Sequence, residues 1–413
     1  MTIVQHDDRT FDIIVQGASG FTGTLVAEYL LRQYGANDEL RWALAGRSEE
    51  KLRDVRAALG PEASDLKIIV ADSFDKTALQ KLASQTRVVL TTVGPYALYG
   101  SDLVEACVNA GTHYCDLAGE VQWIRQMIDT HQERAKETGA KIVNCCGFDS
   151  VPMDIGVWFL QDAAKEKFGA YCTSISMMVK ATKGTASGGT LASMMNLIKE
   201  SRKDHSIARV LIHPYSLNPE SEREGPDGRD QQNVVYREDA QCWTAPFVMA
   251  GVNTKVVRRS HALAGYPYGK GFQYDESVVT GRGFTGWLKG AIMTLGIGAL
   301  VLFASSTPTR NFLQRFVLAK PGEGPDRELQ KSGFFNLMQI GVLPDGKVIR
   351  GRITGDQDPG YGSTSKMLSE CAVCLAKDKL DVGGGVWTPA SVMPRPLIKR
   401  LRQNAGLTFD LRN

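Results

Sequence analysis

Between residues 11 and 160, short apolar runs alternate with segments of helical spacing, and this alternation narrows the choice of folds further than any other feature. The apolar runs are FDIIVQ (11–16), LRWALAG (40–46), LKIIVAD (66–72), RVVLTTVG (87–94), HYCDLAG (113–119) and AKIVNCCG (140–147). Helical spacing fills 21–33, 48–59, 75–83, 101–110 and 121–137, and Ser48 opens the second of these with Glu49 and Glu50 in its first turn. Apolar strands joined by helices of about 10–15 residues build βαβ units, whose strands lie parallel and are covered on both faces. The expected class is α/β, with a Rossmann-type doubly wound parallel sheet.

The first run leads into Gly17-Ala18-Ser19-Gly20-Phe21-Thr22-Gly23. Glycine here lets backbone approach a pyrophosphate closely, and a helix N-terminus offers unpaired N–H groups and partial positive charge. The spacing is GxxGxxG rather than the commoner GxGxxG, so the motif alone would also suit a plain tight turn. Its place after the first of six strands makes it a cradle for a dinucleotide. The second run ends in Ala45-Gly46-Arg47-Ser48, with no carboxylate where an NAD site puts one on the ribose 2′-hydroxyl. Arg47 has the fork to grip a 2′-phosphate and Ser48 adds a hydroxyl, so the expected cofactor is NADP (NADPH). The alternative is a solvated arginine at a helix start. Asp72 is expected on the adenine side, and Val93, Gly94 and Pro95 beside the nicotinamide ribose.

Ligands of open α/β sheets bind beyond the carboxyl ends of the strands. The loops there carry Tyr96, Asp116, Glu120, Asp149 and Ser150. Of these, Tyr96, Asp116 and Asp149 are the candidate catalytic residues, to supply or accept the proton that accompanies hydride transfer. Each has a structural alternative. Asp116 and Glu120 stand just before a helix, and Asp149-Ser150 precedes Val151-Pro152, the pattern of an N-cap followed by proline.

The stretches GASGFTG (17–23), AGR (45–47), VGPYALYG (93–100), HYCDLAGE (113–120), CGFDSVPMD (146–154), SGGT (187–190), PGEGP (321–325) and GDQDPGYGSTSKML (355–368) run almost the length of the chain in order. Together they resemble the saccharopine dehydrogenase-like oxidoreductases, and within them the trans-acting enoyl reductase branch. The first two are generic to dinucleotide folds; DLAGE, GFDSVP and DPGYG are more specific. GDQDPGYG is longer by two residues than the family's G-D-P-G-Y-G form. The resemblance implies an NAD(P)-binding domain over 1–160, a smaller α+β substrate domain over 161–355, and a C-terminal segment, 356–413, returning to the first domain. It implies much less about the substrate.

The second half fits that layout. Residues 171–181 read as a strand, 190–200 as a helix, 334–343 and 347–354 as a hairpin around Pro344-Asp345-Gly346, and 363–376 as a helix. Residues 213–241 are polar and rich in Pro and Gly, which reads as a surface excursion. Between Lys289 and Arg310 lie twenty residues without charge. As a helix they would cover ~30 Å of hydrocarbon, but Gly290, Gly296, Gly298 and the tail Ser305-Ser306-Thr307-Pro308 shorten the apolar part to 291–304. Trp287, Lys289 and Arg310 are flanks that a membrane interface favours. Three roles stay open: peripheral membrane contact through 287–305, a core or homodimer helix, and a true span.

Other classes find little support. A net charge of +3, dispersed along the chain, argues against nucleic acid. Eight cysteines without a disulfide pattern, and a polar N-terminus, suit a reducing, cytoplasmic setting. The histidines show no metal spacing, and Cys371-x-x-Cys374 has no partner pair, so no metal is expected. Tyr266 and Lys270 have the YxxxK spacing of short-chain dehydrogenases, but Pro267 and Gly269 break the helix that such a pair needs. Three functions remain. One is NADPH-dependent reduction of a C=C or C=O group in an acyl or polyketide-type lipid substrate, which the resemblance and the uncharged segment favour. Another is a saccharopine-type amino-acid dehydrogenase, needing Arg202, Arg258, Arg259 and Arg352 to grip carboxylates. The last is a non-catalytic NADP-binding protein at a lipid surface.

Overall fold

The alternation folds as six parallel strands: β1 (Phe11–Gln16), β2 (Trp42–Gly46), β3 (Lys67–Val70), β4 (Thr86–Thr91), β5 (His113–Cys115) and β6 (Lys141–Val143). Between them run α1 (Phe21–Tyr34), α2 (Glu49–Ala58), α3 (Lys76–Ser84), the short α4 (Tyr96–Tyr99), α5 (Ser101–Ala110) and α6 (Val121–Thr138). The computed structural model describes residues 9–37, 39–184, 188–305, 309 and 324–412. Local chemistry starts the helices: the Ser48 hydroxyl accepts the Lys51 amide at the head of α2, and Asp75 accepts the Ala78 amide at the head of α3.

Across the sheet the order is β3-β2-β1-β4-β5-β6, and a seventh strand, Gly385–Trp387, pairs in parallel with β6. The chain reverses direction across the sheet between β1 and β4, which puts a crevice at the carboxyl ends of those strands. Covering the sheet takes a helix from far along the chain. In Gly362–Lys377 every residue but the last is buried. Its Glu370 carboxylate accepts the hydroxyls of Tyr29 (2.6 Å) and Tyr34 (2.7 Å) from α1 and lies 3.7 Å from the Arg400 guanidinium. Lys377, at the end of that helix, pairs at 2.8 Å with Asp12 of β1.

A second sheet is built from β7 (Ser174–Lys183), β8 (Val235–Arg237), β9 (Cys242–Pro246), β10 (Gln273–Gly281), β11 (Phe334–Val342), β12 (Val348–Gly355) and a last strand, Thr408–Arg412. Its order is last strand-β12-β11-β7-β10-β9-β8, and only β7 and β10 pair in parallel. Helices α7 (Val151–Phe168), α8 (Gly188–Lys203), α9 (His205–Ile212), α10 (Ala250–Leu263) and α11 (Gly283–Ser305) accompany it.

The chain divides into two compact units: Met1–Phe148 with Pro321–Gly324 and Gly360–Ala405, and Asp149–Lys320 with Pro325–Pro359 and Gly406–Asn413. This division departs from the expected 1–160, 161–355 and 356–413 chiefly at α7 and at the C-terminal segment, and it also counts Pro321–Gly324 with the first unit. Helix α7 goes with the second unit because its Gly156 lies hard against that sheet: a Cβ there would meet Ile353 at 2.4 Å and Gln339 at 2.9 Å. The C-terminal segment is shared, because the last strand pairs with β12.

The polar stretch 213–241 is better anchored than its composition suggests. Tyr215, Leu217 and Asn218 are buried, Asp227 pairs with the buried Arg258 at 2.6 Å, and Val235–Arg237 joins the sheet as β8. Helix α11 leaves its apolar side chains uncovered: Phe284 is 72% exposed, Leu295 73% and Leu302 72%. Ser187, Ser306, Thr307, Pro308, Arg310 and residues 321–323, which the sequence reading used, lie outside the described residues.

Candidate functional site

The turn after β1 is held by backbone. Gly17 (φ 88°) and Ala18 donate their amides to the Ala45 carbonyl of β2 at 2.9 and 3.1 Å, and Gly20 donates to the Gly17 carbonyl at 2.9 Å. The three glycines do different work. A Cβ on Gly17 would meet Val93 at 2.7 Å, and one on Gly23 would fall 2.1 Å from the Gly17 carbonyl oxygen. Gly17 thus lets the β4 loop close in, and Gly23 lets α1 press onto the turn. Gly20 is exposed, and a Cβ there would meet nothing nearer than the Gly17 oxygen at 3.3 Å. It is the N-cap of α1, with no capping side chain and no acid in the first turn. The helix therefore offers uncapped N–H groups beside a bare glycine, which is what a phosphate requires.

The other expected cofactor residues gather around this turn. Gly46, at the end of β2, stands so near Ser19 that its Cβ would lie 3.7 Å from that hydroxyl. Arg47 follows, exposed, and among the described residues no carboxylate pairs with it. Ser48 spends its oxygen on the cap of α2. Asp72, after β3, accepts the Phe74 amide at 2.9 Å. Thr92 is tied to the turn by its amide to the Gln16 carbonyl (3.1 Å) and its hydroxyl to the Gly17 carbonyl (3.3 Å), which carries Val93, Gly94 and Pro95 beside the cradle. Phe21, in the first turn of α1, packs edge-on against Tyr361 at 4.8 Å, and Thr22 follows it, half-buried.

The catalytic candidates fare differently from one another. Tyr96 is buried; its hydroxyl donates to the Thr91 carbonyl (3.3 Å) and accepts the Leu117 amide (3.1 Å), and burial holds its phenol well above the usual value. Asp116 is a hub. Its carboxylate accepts the Asn144 amide (2.7 Å), the Tyr114 hydroxyl (3.0 Å), and the backbone amides of Ala118 (2.9 Å) and Cys145 (3.1 Å). Burial pushes it up to about 7 despite those bonds. Glu120 straddles the amides of Tyr96 (2.7 Å) and Ala97 (2.9 Å), capping α4. These three groups shape the β4 and β5 loops. Asp149, on the segment leaving β6, keeps partial exposure, and burial of the rest of the group pushes its carboxyl up to about 6. Ser150 donates its hydroxyl to Asn253 at 3.1 Å.

The sequence reading gave no role to Tyr361 or Thr364. Thr364 accepts the Phe148 amide at 3.0 Å, so the GYGST stretch braces both the cradle and the loop after β6. The stretch had been singled out by resemblance, but nothing local in it names its partners. The other motifs are structural. Cys371 and Cys374 are buried in the returning helix, all eight cysteines are free and buried, and Lys270 pairs with Glu222 at 3.0 Å.

Comparisons with known proteins agree with this geometry. The family model of the saccharopine dehydrogenase NADP binding domain matches residues 13–143. A Mycobacterium tuberculosis relative described as a trans-acting enoyl reductase is 40% identical over 405 residues, 95% of this chain and 96% of its own. The trans-acting enoyl reductase of Mycobacterium leprae is 36% identical over 415 residues, 98% of each chain. Among solved structures, saccharopine dehydrogenase (L-Glu forming) from Saccharomyces cerevisiae shares the fold, with a TM-score of 0.54 at 12% identity over 98% of this chain and all of that one. The cofactor is NADP.

Two substitutions test the cradle. Gly20→Val puts a branched side chain where the cradle is expected to seat phosphate, at a position whose φ of −83° suits any residue. The variant should fold and fail to bind NADPH in a fluorescence titration; normal binding would remove Gly20 from the site. Arg47→Asp replaces the expected phosphate partner with a repelling charge, which should cost NADPH affinity about 2–3 kcal/mol and leave NADH affinity nearly unchanged. An unaltered NADPH/NADH preference would remove Arg47.

Proposed function

This chain belongs to the saccharopine dehydrogenase-like oxidoreductases, with the trans-acting enoyl reductases as its relatives, and from that premise we propose that it reduces a C=C or C=O group of an acyl or polyketide-type substrate, using NADPH at a lipid surface. The observation that carries the lipid part is the bare face of α11. Over its most apolar window, only 11% is buried, and the helix is long and apolar enough to cross a membrane. Exposed apolar surface of this extent marks a partner, a membrane or a hydrophobic ligand. Eight buried free thiols suit the cytoplasmic side of such a surface.

The saccharopine-type alternative needs free cations to grip carboxylates, and two of its candidates are committed elsewhere. Arg258 is paired with Asp227, and Arg259 donates to the Leu217 carbonyl at 2.5 Å. Lipid-linked acyl chains present no such carboxylates.

In this reading NADPH, when bound, supplies the hydride. Gly17, Ser19, Gly20, Phe21, Thr22 and Gly23 seat its pyrophosphate, Arg47 and Ser48 select the 2′-phosphate, Asp72 meets the adenine side, and Val93, Gly94 and Pro95 border the nicotinamide ribose. Tyr96 and Asp116 have no polar atom to spare and act as positioning residues. Asp149 is the proton donor: it is partly exposed, carries no capping bond, and its carboxyl is raised to about 6, so it keeps a proton nearer neutrality than an ordinary aspartate.

Two experiments test these assignments. With an enoyl-thioester substrate, turnover by the native enzyme should fall as pH rises through about 6, because the acid form is lost there. Asp149→Asn should lower kcat roughly 10²–10⁴-fold and flatten that limb; an unchanged profile would return the proton to another group. Leu295→Glu with Leu302→Glu, two turns apart on the exposed face of α11, should leave a folded protein that no longer floats with liposomes. A folded variant that still floats would overturn the lipid contact, and a change in oligomer size instead would assign the face to a second copy.

A further inference from the structure

Strands β7, β11, β12 and the last strand set a basic concavity on the face of the second sheet turned away from α7. Along β11 and β12 the side chains alternate: Gln339 and Ile353 point to Gly156 of α7, so Met338, Arg350 and Arg352 point the other way. With Lys180, Asn336 and Arg412 these residues line a cavity of about 340 Å³. That volume falls within the range of small-molecule sites.

The positive charges here are only partly compensated within the chain. Arg350 stands directly opposite Arg412 in the β12–last strand register, and like charges in that relation repel. Arg352 lies one pleat further along the same face. Its opposite number is Asp410, whose carboxylate stands 3.8 Å from Arg412. Among the described residues no carboxylate lies within ion-pair distance of Lys180, Arg350 or Arg352. The contrast with Arg237 in the same sheet is direct, since that guanidinium is neutralised by Asp239 at 2.9 Å and Asp275 at 3.0 Å. The remaining bonds aim the forks rather than satisfy them. Arg352 gives its Nε to the Asn336 side chain (2.9 Å), leaving both terminal nitrogens, and Arg350 gives one terminal nitrogen to the Asp239 backbone carbonyl (3.3 Å).

We propose that this concavity is a binding site for a phosphate-bearing small molecule with at least two negative charges. Three guanidinium forks and an ammonium around one hollow match the bidentate geometry of phosphate oxygens, and Met338 gives the hollow an apolar floor for whatever the phosphate is attached to. The site is defined by binding, so it stands independently of the reductase reading.

The test is calorimetric titration with inorganic pyrophosphate in the presence of saturating NADPH, which occupies the phosphate contacts of the cradle. Saturable binding is expected, weakening steeply with added salt. Arg350→Gln with Arg412→Gln should weaken it at least tenfold. The same variant should fold and melt close to the native protein without ligand, because the lost Arg412–Asp410 pair is half exposed and its loss is offset by removal of the Arg350–Arg412 repulsion. Coenzyme A in place of pyrophosphate separates the sources: tighter binding assigns the site to a nucleotide-type carrier of an acyl group, and equal binding to phosphate alone. No saturable pyrophosphate binding, or binding that survives the double substitution, overturns the proposal. A lower melting temperature with unchanged binding does so as well, by making the two arginines structural.

Discussion

A parallel sheet must be covered on both faces, and the first unit meets that demand only by bringing back a helix from 340 residues along the chain, as the Tyr29–Glu370 bond spans a separation of |i−j| = 341. The helix Gly362–Lys377 arrives with a carboxylate in its middle, and burying an unpaired charge would cost several kcal/mol. The arrangement avoids that cost by supplying Glu370 with two tyrosine hydroxyls from α1 and the Arg400 guanidinium. Those bonds also fix α1 against the returning helix. Because Gly20 caps α1, the orientation of the expected phosphate cradle depends on a residue that the local motif does not contain.

The cradle itself rests on close backbone approach. Gly23 brings α1 onto the Gly17 carbonyl, and Gly17 admits the β4 loop, so strand, helix and loop meet within one turn. Buried carboxylates organise the rest of the rim. Asp116 gathers donors from β5, the loop after it and the end of β6, while Glu120 holds the amides that start α4. Both are spent on architecture, and a group with four hydrogen bonds to fixed donors has little freedom to exchange a proton with a ligand. Asp149 has no such network, and that difference, rather than position alone, separates it from Asp116 and from Tyr96, whose hydroxyl is held by the Thr91 carbonyl and the Leu117 amide.

What could be read from the chain follows from which interactions are local. The six strands, the caps Ser48 and Asp75 and the β11–β12 hairpin are legible because apolar period, side-chain-to-backbone bonds and turn residues act over a few positions. The seventh strand was missed because GVW is three residues long and exists only by pairing with β6. The last strand was missed because its partner β12 lies some fifty residues earlier, as the Thr354–Thr408 separation shows. The stretch 213–241 looked detached because its anchors, Tyr215 and Asp227, are polar residues whose partners come from α10. Tyr96 looked like an acid because sequence shows a hydroxyl but not the carbonyl and the amide that hold it.

Helix α11 presents the inverse problem: its sequence is plain and its surroundings are incomplete. Near its start the helix is close-packed through glycine. A Cβ on Gly286 would meet the Gly281 backbone at 2.5 Å, and one on Gly290 would meet Val234 at 2.9 Å. Further along, a Cβ on Gly296 or Gly298 would meet nothing within 4 Å among the described residues, and Leu295, Leu302 and Phe303 are exposed. Glycine within a helix costs about 1 kcal/mol relative to alanine, which packing repays at Gly286 and Gly290 but nothing among the described residues repays at Gly296 and Gly298. Exposed leucines add a further penalty in water. Among the described residues little covers this stretch, although Ala304 is buried, and that exposure is the ground for the proposed lipid contact. Hydrocarbon suits it, since lipid covers the apolar side chains and small residues let a helix end sit close to a surface or to another chain.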